Sequence, residues 1–351
     1  MRRISGVFDT TYHLDMMVFR TTRHRIAMLL VMLFFLVLPL FSSPFWLAFL
    51  NTTAVTVIAL QGLNILSGYC GQISIGHTAF MAVGAYSTAI LSGRYGVPFW
   101  LCLPCSGLCA GLTGVLFGLP SLRIKGYYLA LTTIAAQFII LYLIKNPFPE
   151  ITGGAIALHV PDVTAGGFIL ETETHFYYLI MGATALMTFF AKSLLRSNVG
   201  RAFIAIRDND IAAEAMGIGL YRHKLQAFFI GCFFAGVAGS VWAAYARVIS
   251  PDDFTLTNSI WQMGMLIVGG LGSTLGPFFG ALFIKLLNES CVVAGPFITS
   301  LVPQFGAQLS AALIEMSFGL TIVLFLVYEP RGIAHKWEIL KESYRLWPFS
   351  Y

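Results

Sequence analysis

The chain has 351 residues, of which 57% are hydrophobic and only 11% charged, against the ~25% charged of an ordinary soluble domain, and this excludes a water-soluble globule. The formal charge of +5 is scattered between apolar runs rather than gathered on one module, which excludes a nucleic-acid-binding protein. The six cysteines, Cys70, Cys102, Cys105, Cys109, Cys232 and Cys291, sit almost wholly in apolar stretches with no His or carboxylate in company. They read as small packing groups, and no metal site is expected.

The first 25 residues are polar and basic, and no small-residue cleavage pattern follows the apolar run after them, so 26–40 is expected to stay as a first span. A helix needs ~20 apolar residues to cross the hydrocarbon core. By that measure the spans fall near 26–41, 46–66, 74–91, 98–119, 126–144, 176–195, 225–245, 258–270, 276–290 and 309–328. The expected fold class is therefore all-α: a polytopic integral membrane protein of about ten transmembrane helices. Residues 1–25 form an N-terminal segment, 26–328 the transmembrane domain and 329–351 a C-terminal tail. The eighth span is short and leaves through Gly269, Gly270 and Gly272, the mark of a broken or tilted helix inside protein rather than lipid.

Charge fixes the expected orientation. With both termini cytoplasmic, seventeen of the 21 Lys and Arg fall inside, among them Arg123, Lys125, Arg196, Arg201, Arg207 and Arg331; only Arg94, Lys145 and Arg247 fall outside, and Lys285 lies within a span. This is the asymmetry that the positive-inside rule describes. The external stretch 146–175 carries Glu150, Asp162, Glu171 and Glu173 with no Lys or Arg, plus two Gly-Gly pairs; it is expected to be a loop with little regular structure, open to a soluble partner.

The segment 67–77 interrupts two apolar runs with Gly68, Gly71 and Gly76 and adds Gln72, Ser74 and His77. Polar groups at such a place face a protein interior or a water-filled path, which makes Gly71, Gln72, Ser74 and His77 candidates for a pathway or hinge; a cytoplasmic turn with a hydrogen-bonded His fits equally. The inside stretch 197–224 is charged and helix-forming. Asp208 is a good N-cap, Asp210 an acid in the first turn and Gly217 a stop, giving a helix over 209–216 with an apolar stripe of Ile211, Ala212, Ala215 and Met216. So short a helix is marginal alone in water and needs a groove, on its own membrane domain or on a cytoplasmic partner. Gly272, Gly276 and Gly280 form a G-x-x-x-G series for close helix packing. Lys285 and Glu315 fall at equal expected depth on consecutive spans and are a candidate intramembrane ion pair; the alternative is that Lys285 snorkels or pairs with Glu289. No Walker loop, H-E-x-x-H pair or nucleophile elbow occurs, so the chain is expected to be no enzyme and to bind no cofactor itself.

Three ordered stretches carry a family likeness. They are Gly62-Leu63-Asn64-Ile65-Leu66-Ser67-Gly68-Tyr69-Cys70-Gly71-Gln72-Ile73-Ser74-Ile75-Gly76-His77-Thr78-Ala79-Phe80; Gly200-Arg201-Ala202 with Ala205-Ile206-Arg207-Asp208-Asn209, Ile211-Ala212-Ala213 and Gly217; and Gly269-Gly270-Leu271-Gly272-Ser273-Thr274-Leu275-Gly276-Pro277-Phe278-Phe279-Gly280-Ala281. Together they resemble the LivM-type inner-membrane permease subunit of branched-chain amino-acid ABC importers. The middle stretch is similar to the EAA coupling loop of ABC importer permeases, with Ile211 where the motif has Glu and without its distal Pro. The resemblance implies the ABC importer permease fold, and a coupling segment (Asp208, Ile211, Ala212, Ala213, Glu214, Met216, Gly217) that docks on an ATPase. It also implies a second permease subunit of LivH type, two cytoplasmic ATPase subunits that use the ATP, and an external or periplasmic amino-acid-binding protein. Related permeases of the branch carry urea or short amides. The rival is a stand-alone secondary transporter or channel, marked by broken midplane helices and intramembrane carboxylates, which Glu315 and the eighth and ninth spans faintly suggest.

Overall fold

A computed structural model describes residues 26, 34–121, 127–147, 149–154, 156–165, 168–301 and 306–346; residues 27–33 of the expected first span lie outside them. Helix α1 (Pro44–Leu63) runs on into a π-helical turn (Asn64–Tyr69), followed by α2 (His77–Tyr95), α3 (Phe99–Ser121) and α4 (Tyr127–Lys145). Next come α5 (Glu173–Arg196), the short α6 (Asn198–Asp208) and α7 (Asp210–Ala215), and the long α8 (Leu220–Ala246). Helices α9 (Leu256–Gly269), α10 (Gly276–Leu301), α11 (Gly306–Tyr328) and α12 (Gly332–Leu346) complete the chain. Each expected span from the second to the tenth has its helix, because apolar runs of this length bury their backbone polar groups only by coiling.

Among the described residues six helices are long and apolar enough to cross a membrane by length and composition, or seven if the pair Ala312–Tyr328 and Gly332–Ser343, bent by 46°, is one span. Helix α9, with 14 residues, reaches only ~21 Å at 1.5 Å per residue, short of the ~30 Å hydrocarbon core.

Helix α8 is the axis of the bundle, packed on α1, α2, α3 and α5. Small residues make these approaches. On α3, Gly107, Gly111 and Gly114 all face α8, where an added Cβ would sit 2.7 Å from Phe233, 2.9 Å from Phe229 and 2.5 Å from Cys232. A lipid solvent gives helices no hydrophobic reason to associate, so dispersion at such close range takes that role. A smaller core joins the end of α1 (Val57, Leu60, Leu63) to α9, α10 and α11 through Leu266, Ile284 and Phe318.

The stretch 146–175 is more ordered than expected. It holds a helical turn (Pro149–Thr152), β1 (Leu158–His159) and a hairpin of β2 (Thr164–Ala165) with β3 (Phe168–Ile169). Strand β1 pairs antiparallel with β4 (Val248–Ile249), just past α8. Long-range pairing supplies this order, which composition does not reveal.

Candidate functional site

The stretch 197–219 is two short helices meeting at a kink. Ser197 caps α6, its hydroxyl accepting from the Gly200 N–H at 3.4 Å. Asn209 caps α7, its Oδ1 accepting from the Ala212 N–H at 3.0 Å, so the expected cap at Asp208 is corrected by one residue. Asp208 is instead the last residue of α6 and its carboxylate holds Arg207 at 2.9 Å; the extended backbone needed by a cap falls at Asn209, φ −160. At the other end Ile218 N–H donates to Ala213 O at 3.0 Å and Gly217 N–H to Glu214 O at 2.9 Å, a Schellman closure with Gly217 at φ +84. The helix is thus Asp210–Ala215 rather than 209–216.

Its faces are unequal. Ala213 is 4% exposed and packs into its own chain, whereas Ile211 is 74% and Met216 84% exposed, with Ala212 and Glu214 also outward. The apolar Ile211 and Met216 therefore share the exposed side, and Ala213 seats the helix on the rest of the chain.

Beyond the π-helical turn the chain leaves helical geometry at Gly71, φ +72, and re-enters it at His77. The intervening backbone is satisfied locally: Ser67 Oγ donates to Gln72 O at 2.9 Å and accepts from Ser74 N–H at 3.4 Å, and Ile75 N–H donates to Thr133 Oγ1 at 3.0 Å. Gln72 and Ser74 turn inward and Ile73 outward. His77 is fully buried, its Nε2 3.1 Å from Ala59 O, well inside α1. The break consequently buries the side chains of Gln72, Ser74 and His77 while Gly71 and Ile73 stay exposed. Both side-chain polar atoms of Gln72, Ser74 Oγ and His77 Nδ1 are buried with no hydrogen-bond partner.

Helix α2 thus begins inside the bundle, on Gly76, which has no side chain to cap it. Its orphan N–H groups are met from other helices. Ser259 Oγ of α9 accepts from Thr78 N–H at 3.1 Å, and Gln137 Oε1 of α4 accepts from Ala79 N–H at 3.0 Å. Gln137, fully buried, also accepts from Ser259 Oγ at 3.1 Å, and its Nε2 donates to Phe254 O. The reading of the sequence missed Gln137 and Ser259. A lone Gln in the apolar run of α4 was the available signal.

A second node joins the two motifs. Arg207 Nη1 donates to Gly68 O at 3.0 Å. Asn64 Nδ2 donates to Ser273 O at 2.7 Å, and Asn64 Oδ1 accepts from Gly272 N–H at 2.9 Å. The three stretches that carry the family likeness meet here.

The ion pair expected between Lys285 and Glu315 does not form among the described residues, nor does one between Lys285 and Glu289. Lys285 is half-buried and Glu315 exposed. The packed side of α11 is set by Phe318, stacked 3.9 Å from Trp261, and by Ser317 against Cys291 at 3.3 Å.

The family described as branched-chain amino acid transport system, permease component, matches residues 45–327. The chain is 33% identical over 261 residues to the high-affinity branched-chain amino acid transport system permease protein LivM of Escherichia coli, covering 68% of this chain and 61% of that protein, so the match spans about three fifths of the relative's length. It is 25% identical over 224 residues to the probable LivM of Methanocaldococcus jannaschii, 63% of this chain and 64% of the relative. It is 22% identical over 293 residues to the guanosine ABC transporter permease protein NupQ of Bacillus subtilis, 78% of this chain and 88% of the relative. No solved structure matches.

Proposed function

We propose, from the premise that this chain belongs to the branched-chain amino acid transport permease family, that it is a membrane subunit of an ATP-binding-cassette importer. It forms part of the translocation path for branched-chain or similar amino acids. The observation that carries this is the capped and closed helix α7, which is anchored by Ala213 and holds Ile211 and Met216 out in solvent. An exposed apolar pair on so short a helix makes sense as a docking element.

On this reading the ends of α5 and α8 nearest α6 and α7 are cytoplasmic, with both termini on the same side and about ten spans in all; α2 and α9 cross as partial helices shielded by their neighbours. Two cytoplasmic ATPase subunits supply the energy, a LivH-type permease completes the path, and an external binding protein delivers the solute. The chain itself binds no nucleotide and catalyses no reaction. Substrate choice is the least constrained element, since the relatives' names extend to guanosine.

The test is co-purification with the ATPase subunits encoded beside it. Ile211→Arg and Met216→Glu, both at exposed positions, should leave the permease folded and abolish ATPase capture. Full capture by the double variant overturns the docking assignment. Uptake of radiolabelled leucine by the reconstituted complex, competed with urea and guanosine, decides the solute class.

A further inference from the structure

We propose that Arg207 is a positioning residue that ties the docking helix to the break at Gly68–Gly76, so that displacement of α7 moves the break. The inference rests on the coupling reading of α7 and concerns how motion leaves it.

Arg207 stands in the last turn of α6, two residues before the Asn209 cap of α7. Its guanidinium is held in plane by Asp208, with Nε at 3.0 Å and Nη2 at 2.9 Å from the same carboxylate oxygen. That leaves Nη1 for Gly68 O at 3.0 Å, one of the carbonyls a helix end leaves without an internal donor. The fork geometry matters, because a Lys ammonium cannot lie flat against a carboxylate and reach a second acceptor in the same plane.

The glycines around it point independently to the same side chain. A Cβ at Gly71 would lie 3.1 Å from Arg207 Cγ, and one at Gly272 would lie 2.7 Å from Arg207 Nη1 and 3.1 Å from Gly68 O. Gly68 itself has no room for a Cβ, which would be 2.5 Å from Gly272 N. Two glycines from two distant stretches, Gly71 and Gly272, keep clear the volume that this one side chain occupies, and Gly68 lies close against the second of them. Packing for its own sake would fill such a volume with an apolar residue.

What the tether holds is suited to movement. A π-helical turn marks functional breaks in helices, and the segment after it buries Gln72, Ser74 and His77 Nδ1 without partners. Buried unpaired polar groups raise the energy of the arrangement that contains them. A second arrangement that pairs them is then within reach of a modest push, and Arg207 is where a push on α7 arrives.

The experiment uses the complete importer in proteoliposomes, with a single cysteine at Ile73, which is 37% exposed. Maleimide labelling is compared without nucleotide and with ATP plus vanadate, in wild type, Arg207→Gln, Arg207→Lys and Asp208→Asn. In the wild type the nucleotide should change the labelling rate about tenfold, and in Arg207→Gln that response should be lost while ATP is still hydrolysed and import per ATP falls about tenfold, the scale set by one hydrogen bond to a charged group. Arg207→Lys should behave like Arg207→Gln, which a purely electrostatic or packing role would not require. If Arg207→Gln does not assemble, Arg207→Lys and the exposed Asp208→Asn are read in the same way. A wild-type cysteine that does not respond to nucleotide, or a response that survives in the variants, overturns the inference. Failure of any ATPase to bind the wild-type chain would instead overturn the coupling reading itself.

Discussion

Replacing Gln137 with Leu should destabilise the bundle out of proportion to the change in size. The substitution leaves volume nearly unchanged but removes the acceptor for Ala79 N–H at 3.0 Å and the donor to Phe254 O, both in a fully buried setting. Ser259 and Thr78 still have each other, and Phe254 O retains a long contact to Thr78 Oγ1 at 3.5 Å. The cost is therefore one full orphan and one partial one, about 2–4 kcal/mol at ~1–3 kcal/mol per unsatisfied buried group. The added methyl groups offset little, since the unfolded reference in lipid is already apolar. At roughly 2 °C per kcal/mol for a large domain, the thermal midpoint followed by fluorescence size-exclusion should fall by at least ~4 °C. A midpoint within ~1 °C of wild type would refute the reasoning and mean that α2 finds its caps elsewhere.

Gly217→Ala meets open space but keeps a φ of +84, so it should cost ~1–2 kcal/mol within α7 alone; the Ile218 amide should exchange about tenfold faster with the global midpoint unmoved. Ala213→Arg forces a charge into a position only 4% exposed and should lower folded yield even when no ATPase is co-expressed, unlike Ile211→Arg. Swapping Lys285 and Glu315 should rescue nothing beyond the sum of the single changes, because neither side chain meets the other; recovery in the double variant would show that they pair in the assembled importer. A cysteine at Thr172 should label with an impermeant maleimide from outside, and one at Ser197 should not; the opposite pattern would invert the assigned orientation.

Most helices were legible because a run of apolar residues has one answer in lipid. The expected 98–119 and 258–270 became Phe99–Ser121 and Leu256–Gly269. What escaped was tertiary. Nothing local announces that Ala213 points inward and Ile211 outward, since a six-residue helix has too little period to show its buried side. Asp208 and Asn209 are both good caps, and Arg207, by engaging Asp208, leaves Asn209 to serve. The break at 68–76 was visible from its glycines and polar residues, but its depth was not, because His77 is placed by Ala59, a residue that reads as plain helix. The Lys285–Glu315 expectation failed because equal depth does not fix rotation about the axis, which Phe318 and Trp261 settle.

The borrowed caps of α2 bear on how the protein is made. Thr78 and Ala79 take their acceptors from residues 181 and 58 positions further along, so when 77–95 leaves the ribosome neither exists yet. The first turn of α2 has to enter the bilayer frayed or hydrated and close only after α4, and then α9, have been threaded. Translation order therefore makes α2 a late-maturing helix despite its early place in the chain. A nascent chain arrested before residue 259 should expose position 78 to a water-borne reagent that can no longer reach it in the finished protein.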